Sequence, residues 1–167
     1  MAKMMSPKTT LWWVPANTVG WNPDAPSAAK LTAALNVSTA VVSGYTLNPT
    51  DSDTDDSTSI ADGANSQTPT FGNYEGNMTF FREGDSANTT SDAAKAWAFF
   101  KAPDAEGYWV RRVGFRHTVA AAAGQEVDIF HFSSDVPQDV VGDSGPIQFT
   151  VPFLPQGKMV LSKTLVV

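Results

Sequence analysis

The stretch "NYEGNMTFF", residues 73–81, decides the fold class. Tyr74, Gly76, Met78 and Phe80 fall on one side of an extended chain, and Asn73, Glu75, Asn77 and Thr79 on the other. Successive side chains of a β-strand point to opposite faces, so this alternation predicts a strand with one face in a core and one in water. The same period of two recurs on both sides of it. "TLWWVPA" (10–16) and "AVVSGYTL" (40–47) read as strands rich in β-branched and aromatic residues. "GYWVRRVGF" (107–115) sends Arg111 and Arg112 to opposite faces, and "EVDIFHF" (126–132) sets Val127, Ile129 and His131 against Asp128, Phe130 and Phe132. "IQFTVPF" (147–153) and "KMVLSKTLVV" (158–167) complete the set. Pro152, which has no N–H for a ladder, predicts an edge or a bulge.

Helical signal is concentrated in "TTSDAAKAWAFFKAPDAEG" (89–107). It has Ser91 as N-cap, Asp92 in the first turn, Lys101 near the end and Pro103 as the stop. Trp97 and Phe100 share its buried face. A shorter Ala-rich helix is expected within 25–35. The chain thus reads as one mostly-β domain, 1–167, with one strong helix between strands.

Composition narrows the class of function. The 167 residues carry a formal charge of −6 and are 42% hydrophobic, with no cysteine. An acidic chain lacks the basic face of an autonomous nucleic-acid binder. Without cysteine there is neither a disulfide framework nor thiolate chemistry. The opening "MAKMMSPKTT" offers no apolar leader, and no run is long enough for a membrane anchor, so synthesis in a cytosol is expected.

One segment breaks the pattern. From about 48 to 70, around "DSDTDDSTSIADGANSQTPT", the sequence is polar and shows no periodicity, and no lysine or arginine occurs from Leu31 to Phe81. A loop of that length in a compact domain is functional or disordered. Asp51, Asp53, Asp55 and Asp62 match positions 1, 3, 5 and 12 of a calcium-binding loop, but Asp56 stands where the turn needs glycine, and flanking helices are missing. A solvated acidic loop is the better reading. "GDSGP" (142–146) resembles the nucleophile segment of trypsin-like proteases, with His117, Asp128 or Asp139, and Ser144 as a conceivable triad. The second glycine of that motif is absent, and an ordinary turn explains the residues. His131, between Phe130 and Phe132, reads as a hydrogen-bonded sheet histidine rather than a metal ligand. Adjacent Trp12 and Trp13 face opposite sides, so one is expected to be exposed. That leaves a carbohydrate-binding β-sandwich as a remote alternative. Nothing supports an enzyme, and no cofactor is implied.

The order of the pieces resembles the major tail (tail tube) proteins of long-tailed, siphovirus-type phages, especially those of actinobacteria. The residues that carry the resemblance are "TTLWWVPA", then "VVSGYTLNPTDSDT", the polar loop running into "TPTFGNYEGNMTFFRE", the helix "SDAAKAWAFFKA", "GYWVRRVG" and "IQFTVPF". It implies a β-sandwich or partly closed barrel with a flanking helix, assembled as hexameric rings that stack into a hollow tube of the virion tail. It also implies a tape-measure protein and tail tip and terminator proteins as partners, with DNA passing through unbound. Other virion proteins, a capsid decoration or tail-terminator subunit, remain an alternative. On this reading the loop acids Asp51, Asp53, Asp55, Asp56 and Asp62 meet cations of a neighbouring subunit, for which Arg82, Arg111, Arg112 and Arg116 are the candidates. Glu75 and Asp128, on polar strand faces, are the candidate lumen acids. The apolar end "TLVV" is expected to be covered in the polymer.

Overall fold

The structure is a computed structural model and describes residues 8–61, 63–142 and 145–167. In chain order it runs β1 (Thr9–Pro15), α1 (Ala28–Ala33), β2 (Leu35–Asn36), β3 (Thr46–Thr50), β4 (Thr54–Asp56), β5 (Gln67–Pro69) and β6 (Asn73–Phe81). There follow α2 (Asp92–Phe100), β7 (Glu106–Val113), β8 (Glu126–Ser134), β9 (Gln138–Val140), β10 (Gln148–Pro155) and β11 (Val160–Thr164).

Hydrogen bonding links the strands antiparallel in the order β2-β1-β7-β8-β10-β6-β3, with β11 also on β8 and β9 also on β10. The sheet is not flat. β8 and β10 share only the pairs from Phe153↔Ser134 to Pro155↔Phe132, while β10 and β6 pair from Gln148↔Phe81 to Phe153↔Gly76. At that short junction the sheet folds back, and its two parts face each other as an open β-sandwich. Leu11, Trp13, Trp109, Phe130 and Phe132 come from one layer; Tyr74, Met78, Phe80, Phe149, Val151 and Phe153 come from the other.

Rings dominate this core. The Tyr74–Phe132 centroids are 5.0 Å apart, Trp109–Phe153 5.3 Å and Trp13–Trp109 4.9 Å, and the crossing angles are mostly steep. Such pairs each add about 0.5–1.5 kcal/mol beyond the area they bury. The alternation of 73–81 appears as expected, with Tyr74, Gly76, Met78 and Phe80 inside. A Cβ on Gly76 would stand 2.7 Å from the Phe132 ring. Gly76→Ala is therefore expected to destabilise by about 1–3 kcal/mol through overpacking, read as a lower urea midpoint; an unchanged midpoint would mean the ring moves aside freely.

The first layer is covered on its outer face too. Trp12, Val14, Val110, Val127 and Ile129 pack there beneath Ala28 and Leu31 of α1 and Leu165 of the C-terminal segment. This corrects the expectation for the tryptophan pair: Trp12 is 4% exposed and Trp13 0%, because both faces of β1 are buried. α2 closes one open side of the sandwich through Phe100, 5.0 Å from Trp13 and 5.5 Å from Phe80. Its N-terminus is capped as the sequence predicts. The Ser91 Oγ accepts from the Ala94 N–H at 3.1 Å and donates to Glu83 Oε2 at 2.7 Å. A cap of this kind stabilises by about 1 kcal/mol. The Ser91 hydroxyl, and then the Asp85 N–H, hold the Glu83 carboxyl below its usual range.

Three further expectations are corrected. In 40–47 the chain pairs with β6 only through Val41↔Phe80 before it bulges outward. Gly44, at φ 91°, makes that turn, and β3 begins at Thr46. Pro152 lies in an internal strand, not an edge strand, yet at the place where β10 changes partner from β9 to β8. Its carbonyl accepts from the Asp135 N–H at 2.9 Å, and its missing donor falls in the gap between the two ladders. The C-terminus is not left bare in the subunit. Leu165 is buried, Val166 accepts from the Ala28 N–H at 2.9 Å, and only Val166 and Val167 show apolar surface beyond it.

Candidate functional site

The segment read as an unstructured loop is a two-stranded arm. The β3–β6 ladder runs out to Thr50↔Asn73. Beyond it, the Asp53 N–H donates to Phe71 O at 3.0 Å and the Thr70 N–H to Asp53 O at 2.7 Å. β4 and β5 then pair from Thr54↔Pro69 to Asp56↔Gln67, and the Ser57 N–H donates to Ser66 O at 2.9 Å. The Asn73 amide braces the root, donating to Asp51 O at 3.1 Å and Asp53 Oδ1 at 3.0 Å. At about 3.3 Å per residue, an extended chain from Thr50 to Ile60 would span at most about 30 Å. Every described residue of 48–72 is exposed, including Phe71 at 72% and Ile60 at 110%. Main-chain bonds and β-branched threonines hold the arm straight. No apolar face ties it to the body.

Asp51, Asp53, Asp55 and Asp56 all lie on this arm, and Asp62 lies outside the described residues. Among the described residues, none of the four has a cationic partner in its own subunit. The hydroxyl and N–H of Thr58 hold the Asp56 carboxyl below its usual range. Among the described residues, no group of three acidic or histidine side chains is placed to hold a metal ion.

Three of the four arginines expected to answer these acids are already engaged at home. Arg82 pairs with Asp139 at 2.9 Å and lies 4.0 Å over the Trp97 ring. Arg111 pairs with Asp128 at 3.0 Å and donates to Leu47 O at 2.6 Å, so the charge of Asp128 is offset within the subunit. Asp128 also accepts from the Ser162 N–H at 3.0 Å. Arg112 is fully buried with no carboxylate beside it. It donates to Thr10 Oγ1, Gln125 Oε1 and the carbonyls of Arg116, Val119 and Ala120, under the rings of Trp12 and Phe115. Burial lowers its pKa from the ordinary guanidinium value. Arg112 therefore ties down the 114–125 connection, a role the sequence reading missed; its place on the strand face of Val110 and Tyr108 was the available signal. Arg116 remains exposed, and its side chain has no partner among the described residues. Glu75 projects from the polar face of β6.

Most residues of the other candidate chemistries are engaged elsewhere or lie outside the described residues. Asp128 and Asp139 are each paired with an arginine, and Ser144 lies outside the described residues. His131 bonds Glu106 Oε1 at 2.9 Å and stacks on Tyr108 at 4.5 Å, the sheet histidine expected.

A rigid body with an aromatic core, from which a bare, polar strand pair reaches into water, is the build of a subunit that assembles with others. The comparisons say which assembly. A family model described as phage tail tube protein matches residues 1–167, and the chain belongs to that family. It is a structural protein of the phage tail. Nine solved chains match it. One, from a cryo-EM structure of the anti-feeding prophage (AFP) baseplate, 6-fold symmetrised, is 10% identical with a TM-score of 0.51, covering 98% of this chain and 99% of that one. At that identity the likeness is one of fold. A search of curated proteins gives no match.

Proposed function

We propose that the protein closes into rings of six subunits, and that the rings stack into the hollow tail tube through which the genome passes. The arm is the observation that carries this. A strand pair exposed throughout, whose four described acids have no cationic partner among the described residues, can bury its side chains only on another molecule. Contacts between unlike surfaces close into rings in one direction and leave a stack open in the other. The six-fold symmetry named for the baseplate structure is consistent with that count.

The charge of −6 per subunit suits a conduit, since basic walls would retain DNA through counterion release. Glu75, exposed beside Asn77 on the polar face of β6, is the proposed lumen acid. Asp128 is a weaker choice, because Arg111 offsets it. The exposed Arg116 is the arginine best placed to meet a neighbour's arm. Tape-measure, tip and terminator proteins are the proposed tail partners, with synthesis in the host cytoplasm. No helix among the described residues is long and apolar enough to cross a membrane. The role is mechanical rather than catalytic. Negative-stain microscopy over rising protein concentration is expected to show annuli and then hollow filaments. Single particles at every concentration, in the presence of tail-tip complexes, would overturn this reading.

A further inference from the structure

Between α1 and α2 lies a groove of about 660 Å³. Ala33, Leu35 and Phe99 give it apolar walls, and Phe99 is 41% exposed there. Lys30 and Lys95 also line it. Among the described residues, neither ammonium group has an acidic or hydrogen-bonded partner in the subunit. Asp92, the acid of the lining, accepts a hydrogen bond from the Thr39 hydroxyl.

The arm presents the complementary chemistry. Ile60, at its far end, is held wholly in water, and Asp55 and Asp56 stand five and four residues before it. Arg82 and Arg111 are already paired and Arg112 is buried, so they offer an incoming acidic strand little. Lys30 and Lys95 are free, and they flank apolar surface that lacks a cover. We infer that this groove receives the arm tip of a second copy of the chain. Ile60 enters against Phe99, Leu35 and Ala33, while Asp55 and Asp56, on opposite faces of β4, pair with lysines on the two sides of the groove, Lys30 of α1 and Lys95 of α2. The inference rests on the tube reading and names the surface on which the arm lands. Tip and groove are different patches of the same molecule, so the contact is head-to-tail and passes from each subunit to the next, around a ring or along a stack. Burying the pairs beside apolar surface strengthens them relative to water, and the charge match fixes the register of the tip.

The absence of cysteine makes the test direct. A variant carrying both Ile60→Cys and Ala33→Cys is assembled into tubes and mildly oxidised. A ladder of covalent multimers is expected on a denaturing gel, collapsing on reduction. Tubes of normal appearance that give no ladder, or only an internally bridged monomer, overturn the groove assignment and leave the tube reading standing. Failure of the unmodified protein to form tubes, even with tail-tip complexes, overturns both. A second arm uses charge. Lys30→Glu with Lys95→Glu, and separately Asp55→Lys with Asp56→Lys, are each expected to reduce tube yield at least tenfold. Lys95, Asp55 and Asp56 are exposed and Lys30 is half-buried, so melting temperatures should change far less than tube yield. Combining both sets restores most of the yield if the pairs meet, and a combination no better than either set alone overturns the pairing.

Discussion

Replacing residues 51–72 by Asn-Gly is expected to abolish tube growth while leaving the subunit's melting curve unchanged. The arm buries no residue, so its removal takes nothing from either core. Surface changes of this kind usually fall within about 0.5 kcal/mol. The β3–β6 ladder is retained out to Thr50↔Asn73, and Asn-Gly is the pair that closes antiparallel strands with a two-residue turn. What is lost is an extended element free to reach another subunit, along with its acids, of which the four described have no cationic partner among the described residues. Circular dichroism on heating measures the fold, and sedimentation with microscopy measures assembly. Wild-type tubes from the shortened chain would show that the arm is dispensable.

The second large effect concerns Arg112. Arg112→Ala is expected to destabilise the subunit by about 3 kcal/mol or more. A hydrogen bond to a charged group contributes about 1.5–3 kcal/mol, so losing two of its contacts already costs about 3 kcal/mol. Its bonds to Thr10, Gln125 and three carbonyls hold the 114–125 connection over the outer face of the sheet. That connection in turn pairs with the last strand, through Gly124 N–H to Leu165 O at 2.9 Å and Leu165 N–H to Gln125 O at 2.8 Å. Removing the guanidinium therefore loosens the C-terminal segment as well. Arg112→Lys should recover less than half, because a single ammonium cannot serve acceptors spread around a planar fork. Urea unfolding reads both variants, and hydrogen exchange should show the loss at 114–125 and 160–166 first. An Arg112→Ala protein within 1 kcal/mol of wild type would contradict the account.

Sequence reasoning succeeded where the cause is local. The strand 73–81 was legible because hydrophobic alternation is written along the chain itself. The helix 92–100 was legible because Ser91, Asp92 and Pro103 are start and stop signals in their own right. The arm was not, and for a definite reason. Period-two patterns appear only when one face of a strand meets a core, and both faces of residues 54–56 and 67–69 meet water. Their pairing is carried by backbone groups that every residue possesses, so composition reads as loop while geometry is ribbon.

The amino-acid sequence by itself determined the strand content, the capped helix, the acidity and the cation-free stretch that marks the arm. Each follows from neighbours along the chain or from simple counts. Only the tertiary structure decided that Trp12 and Trp13 are both buried, that Arg111 answers Asp128 instead of a neighbour, and that Lys30 and Lys95 flank a groove between two helices. These depend on which distant segments the folded-back sheet brings together. Charge and burial act through space, and distance along the chain does not report them.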